Sequence, residues 1–207
     1  MGNNVKCLWI IIYLVTLIWS GINPKDPLIW LLEVMPAILG GVLLAATYKS
    51  FRLTSLLYGL ILAHCIVLMI GGHYTYAEVP LFDGLMNSER NNYDKVGHFF
   101  QGFVPAILTR EILLRKQVVN GRYWLFFITV SVCLAFSAFY ELIEWSVALI
   151  SEQATAAFLG TQGYVWDTQS DMTWALLGAC CALLFLSSWH DKQLRRLTSD
   201  THSNESV

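Results

Sequence analysis

The chain has 207 residues, of which 56% are hydrophobic and only 14% charged, with a formal net charge of -2 and a mean hydropathy of +0.52. Soluble globular proteins carry about 25% charged residues, so this chain lacks the polar side chains to cover a water-facing surface and reads as a membrane protein. The same figures exclude a disordered chain, a disulfide-stapled secreted scaffold and, with no long basic tract, a nucleic-acid binder.

In chain order, six apolar stretches stand out, at 5–22, 27–48, 53–72, 96–114, 123–150 and 172–189. About 20 residues cross a hydrocarbon core of ~30 Å as a helix, and runs without period-two alternation are helices rather than barrel strands. The fold class is all-α: a polytopic membrane protein with six transmembrane helices. The first stretch follows a lone Lys6, like a signal peptide, but has no small-residue cleavage site and is expected to stay as a helix. With no linker or repeat, residues 1–197 form one transmembrane domain, and 198–207 a short cytoplasmic polar tail expected to be disordered.

Lysine and arginine near span ends stay on the cytoplasmic side. With the N-terminus inside, ten of the 13 lie inside and only Lys25, Arg90 and Lys95 outside, which predicts an N-in, C-in topology. Aromatic residues gather at both expected boundaries, Tyr48, Tyr123, Trp124 and Trp189 inside, Trp19, Trp30, Tyr74, Tyr76, Tyr93 and Trp166 outside, and most read as interface anchors. The five cysteines fall within apolar stretches without a CxxC pair and read as small core hydrophobes. Two long outer loops, 73–95 and 151–171, are the segments where function is expected.

A charge near a helix centre costs roughly 2.5–3.5 kcal/mol on insertion scales, so the polar residues kept in the stretches are the informative ones. Glu33, Asp94, Lys95, His98, Gln101, Glu141, Glu144, Asp167 and Asp171 all fall in the expected outer half, and eleven of the 15 acids lie on that side. Helical spacing aligns Asp94 with His98, His98 with Gln101, Glu141 with Glu144, and Asp167 with Asp171. His98, Glu141, Glu144 and Asp171 are the candidates for catalytic chemistry. Asp94, Lys95, Gln101 and Tyr76 are candidates for binding a substrate. His73, His98, Glu141, Asp167 and Asp171 offer nitrogen and carboxylate ligands of the type a divalent metal takes. Bland readings stand beside these: Asp94 and Asp171 as helix N-caps, His98 as the partner of Asp94 or of a carbonyl. The small residues Ala175, Gly178, Ala179 and Ala182, and Gly40 with Gly41, read as helix-packing stripes. His64 and His190 read as structural, and Arg110 with Glu111 as snorkelling at the inner boundary.

The strings GGHYTYAEVPL (71–81), YDKVGHFFQGFVPA (93–106), FYELIEW (139–145) and YVWDTQSDM (164–172) resemble those of the YjdF family of bacterial inner-membrane proteins, a domain of unknown function. That resemblance implies a bacterial inner (plasma) membrane location and about six helices, and no activity. A fainter similarity is to the VanZ-like families: Asp94, Lys95, His98 and Phe99 match their first element and Asp171 with Gly178 the spacing of their last, while Glu144 and Ala175 depart from the pattern. It tilts the expected partner, beyond the phospholipid bilayer itself, toward a lipid or cell-envelope molecule.

The sequence therefore predicts a polar His/Asp/Glu site opening to the extracytoplasmic face and acting on or binding such a molecule. Three readings stay open: a catalytic or divalent-metal site, although there is no H-E-x-x-H or nucleophile motif; a proton-coupled small-molecule transporter; and a non-enzymatic binding or assembly protein.

Overall fold

A computed structural model of the chain describes residues 2–80, 91–150 and 164–205. Six helices account for nearly all of it: α1 Asn3–Gly21, α2 Pro27–Thr47, α3 Ser55–His73, α4 Tyr93–Arg115, α5 Arg122–Ile150 and α6 Asp167–Glu205. Five are long and apolar enough to cross a membrane. The other is α4, which at 23 residues has the length but carries Asp94, Lys95, Arg110, Glu111 and Arg115. Its surroundings explain this composition: α4 packs against α3, α5 and α6, so its polar side chains meet protein instead of lipid.

Local chemistry sets the helix starts. Asp26 caps α2, its Oδ1 accepting from the Leu28 and Ile29 amides at 2.8 and 3.0 Å, with Pro27 at the first helical position where no N–H is needed. Thr54 caps α3. Two expected caps are corrected. Asn92 stands at the N-cap position of α4, without a side-chain cap bond, so Asp94 lies inside the first turn, and α6 begins at Asp167, a full turn before Asp171. Both acids project from helical backbone. At the far end, α6 runs on to Glu205 where a disordered tail was expected, since each residue added to a formed helix gains a backbone hydrogen bond. The outer loops are described only outside residues 81–90 and 151–163.

The tightest helix pair is α4 with α6. A Cβ on Gly102 would run into the Ala175 carbonyl, and one on Gly178 into the Phe99 carbonyl. Ala175, Ala179 and Ala182 are fully buried, as the small-residue stripe predicts. Gly41 likewise admits the Tyr13 hydroxyl of α1, which donates to the Ala37 carbonyl at 3.0 Å; Gly40 meets nothing and is no packing position.

The end of the bundle holding the starts of α3 and α5 is locked by a buried polar network. Glu111 is fully buried and accepts from Thr54 N and Oγ1, from Arg115 and from His190 Nε2. Arg110 donates to His190 Nδ1 at 2.9 Å and to Asp191 at 2.7 Å. Arg110 can only donate, so His190 Nδ1 accepts and its Nε2–H donates to Glu111. Arg110 and Glu111 thus do not snorkel, and His190, silent in the sequence, joins α4 to α6.

Candidate functional site

The opposite end of the bundle gathers the costly acids. Four helices contribute, each for a local reason. Helix α4 presents Asp94, His98, Gln101 and Gly102 on one face. On α6, Asp171 lies on the same stripe as Ala175 and Gly178, so the close α4–α6 approach carries its carboxylate to the ring of His98. Helix α5 supplies Glu141 and Glu144 one turn apart, and α2 supplies Glu33, nearly two turns into the helix.

His98 is the hub and is buried. Its Nδ1 stands 3.0 Å from Gln101 Oε1 and 3.9 Å from Glu141 Oε1. Its Nε2 faces Asp94 Oδ1 at 3.4 Å and Asp171 Oδ2 at 3.9 Å. Among the described residues, two groups of metal-type side chains place one ligand atom each within 4.8 Å of the others, Asp94–His98–Asp171 and His98–Glu141–Glu144. Glu141 Oε1 and Asp171 Oδ1 are buried oxygens without a hydrogen-bond partner in the described structure, a condition that costs about 1–3 kcal/mol per group or more when charged.

In front of His98 opens a cleft of about 450 Å³ between α2 and α5. Leu32, Met35, Pro36, Leu39, Phe136, Phe139 and Ile143 form its walls, while Glu33, Tyr76, Asp94, His98, Gln101, Tyr140 and Glu144 make its polar part. Met35, Leu39, Phe136 and Phe139 are exposed apolar side chains on spanning helices, so the walls open sideways to lipid. A hydrogen bond crosses the cleft: Tyr140 Oη donates to Glu33 Oε2 at 3.0 Å. Pro36 and Pro105 lie inside α2 and α4 and withhold the N–H groups that would bond the carbonyls of Leu32 and Gln101. Both of those residues line the cleft. A larger groove of about 590 Å³ between α1 and α2 is almost wholly apolar apart from Lys6; it offers no polar chemistry and suits acyl chains of the bilayer.

Of the residues singled out in the sequence, Asp94, His98, Gln101, Glu141, Glu144 and Asp171 converge, and Tyr76 joins them. Tyr76 was expected among the interface aromatics as well as among substrate contacts. It is buried, with its ring in a slot that Gly71 and Gly97 leave open, and it reaches that slot through two consecutive left-handed residues, Thr75 and Tyr76, both at φ 56. Tyr93 is also buried rather than at an interface, donating to the Val67 carbonyl. Asp167 is buried one turn before Asp171 but belongs to neither ligand group. Lys95 is half-buried beside Asp94 and does not line the cleft. His73 is a correction to the expected metal set. It ends α3 against α1, its Nδ1 2.9 Å from the Ser20 carbonyl and its ring stacked on Trp19 at 4.7 Å. Sequence gives the order of helix ends and not the direction each face takes, which is why His73 was grouped with His98.

Two members were missed. Glu33 was noted among the costly acids without a role, and Tyr140 was passed over; their signal was an acid two turns into an apolar helix and a tyrosine next to Glu141. His64, read as structural, leaves its Nε2 without a partner in the described structure and lines the cleft.

Residues 5–192 match the family described as "Predicted membrane protein (DUF2238)". The chain is 53% identical over 183 residues to "Inner membrane protein YjdF" of Escherichia coli (strain K12), covering 87% of this chain and 88% of that protein. No solved structure matches it. The protein is a multi-pass inner-membrane protein, and the chain belongs to the DUF2238 family that the YjdF-like motifs indicated.

Proposed function

We propose that the protein holds the polar head of a membrane-resident amphiphile, a lipid or lipid-linked cell-envelope molecule, in the α2–α5 cleft, at the extracytoplasmic side of the membrane. The observation that supports this is the two-part lining: apolar walls exposed where lipid would lie, leading to a floor of Glu33, Asp94, His98, Gln101, Tyr140 and Glu144. An apolar pocket with a few convergent polar groups is the usual form of a small-molecule site, and here the entrance lies in the bilayer. The acid-rich side is expected outside because the cationic residues favour the other end.

Filling the cleft tests it. Native mass spectrometry of protein released from membranes into a mild detergent should show a retained amphiphile, and Leu39→Trp, which occupies the cleft without touching the cluster, should remove it. Equal adducts on both proteins would overturn the reading. Turnover of the retained molecule separates an enzyme from a binding protein.

One observation favours transport as a second reading. A further cavity of about 510 Å³ shares Pro36, His64, Leu68 and Pro105 with the cleft and extends to Ser50, Phe51 and Lys116 near the other end of the bundle. Proton-linked flux in proteoliposomes that vanishes with His64→Phe would carry that reading; flux unchanged by the substitution would remove it.

A further inference from the structure

We infer that His98 Nε2, Asp94 and Asp171 form a binding site for a divalent transition-type cation, Zn²⁺ or Mn²⁺, with Gln101 as the group that orients the histidine. The inference deepens the amphiphile reading, since a cation there would face the cleft, but it stands on the cluster geometry alone.

The argument begins with the ring. Gln101 Oε1 lies 3.0 Å from Nδ1, a normal hydrogen bond in which Nδ1–H donates. Nε2 then faces Asp94 and Asp171. A histidine that donates one ring N–H to a carbonyl or carboxylate and turns its other nitrogen to acids is the arrangement that metal-ligating histidines adopt.

Distance supports the same side of the ring. The Nε2–oxygen separations, 3.4 Å and 3.9 Å, are at or beyond the limit of hydrogen bonding. They lie near the spacing of neighbouring ligands around a four-coordinate ion, roughly 3.3–3.6 Å for metal–ligand bonds of ~2.0–2.2 Å. Asp171 provides an independent indication. It is only 2% exposed, its Oδ1 has no hydrogen-bond partner, and among the described residues its one ion-pair partner is His98.

A divalent ion adds charge where the oxygens converge. The alternative group, His98–Glu141–Glu144, would use Nδ1, which Gln101 already occupies. The imidazole ligand favours Zn²⁺ and the carboxylates also suit Mn²⁺, whereas Mg²⁺ and Ca²⁺ prefer all-oxygen sets.

The test is calorimetric titration of the full-length, chelator-stripped protein in detergent with ZnCl₂ and MnCl₂, using CaCl₂ for comparison. One equivalent of Zn²⁺ or Mn²⁺ should bind the wild type. Asp171→Asn should weaken it at least 100-fold, and Gln101→Leu, outside the ligand set, about 10–100-fold. Glu144→Gln should change affinity less than threefold. X-ray absorption of the Zn²⁺-loaded wild type, which needs no variant to fold, should show one imidazole in an otherwise oxygen shell. Absence of saturable binding, a spectrum without histidine, or loss with Glu144→Gln but not with Asp171→Asn would overturn the site. Leu39→Trp distinguishes the two proposals: it should remove the amphiphile while leaving metal affinity unchanged, and a missing metal with a retained amphiphile sinks this inference alone.

Discussion

Glu33 and Tyr140 meet across 107 residues of chain through one hydrogen bond, and the carboxylate end of that bond is buried within a spanning helix. Tyr140→Phe removes the donor and keeps the ring, so it should lower stability by about 1–3 kcal/mol, the cost of leaving a buried acceptor unsatisfied. Thermal unfolding in detergent measures this. Glu33→Leu added to Tyr140→Phe should restore part of the loss, because removing both partners is cheaper than removing one. The contrast with Lys25 and Glu78 is informative. Glu78, 2.8 Å away, holds the Lys25 ammonium above its usual range by hydrogen bond and charge, yet both side chains are more than half exposed and water screens the pair. The sequence exposed residues whose burial is costly, and so His98, Glu141, Glu144 and Asp171 were legible. It could not show which of them face each other. The Glu33–Tyr140 contact and the turning of His73 toward Ser20 depend on the rotation of whole helices, which spacing along a single helix does not encode.

At the scale of elements, the site depends on backbones being close. Gly102 sits one turn after His98, and Gly178 two turns after Asp171. Gly102→Ala puts a methyl against the Ala175 carbonyl, a backbone obstacle that cannot rotate away, so α4 and α6 must separate. The expected cost is about 1–3 kcal/mol, the usual penalty for overpacking, seen as a lower unfolding temperature together with weaker Zn²⁺ binding, although Gly102 is none of the three ligands. A melting curve equal to wild type would show that the helices yield without strain. Helix extents were largely readable: the expected 5–22, 27–48 and 123–150 compare with Asn3–Gly21, Pro27–Thr47 and Arg122–Ile150. The larger departure is α6, expected at 172–189 and observed as Asp167–Glu205. Hydropathy marks only what the membrane covers, and a helix continues on either side for as long as its backbone bonds are made.

For the whole molecule, the bundle has two unlike ends. One is fastened by Glu111, His190, Arg110 and Thr54 in a fully partnered network; the other brings acids together with oxygens still unpartnered. A satisfied network rigidifies, while unsatisfied groups await something to complete them. The excess of lysine and arginine at the fastened end predicts that both termini are cytoplasmic. Reporter fusions active only in the cytoplasm, placed at each terminus, should both be active, and a reporter inserted after Glu78 should not.

The gap between α2 and α5 has a practical corollary. A molecule that enters through it arrives from a two-dimensional solvent, so its binding follows mole fraction in the bilayer rather than concentration in buffer. Detergent is itself an amphiphile and competes for the same walls. On the proposed reading, each purification wash acts as a displacement titration, and retention of the amphiphile depends on keeping the protein in native lipid.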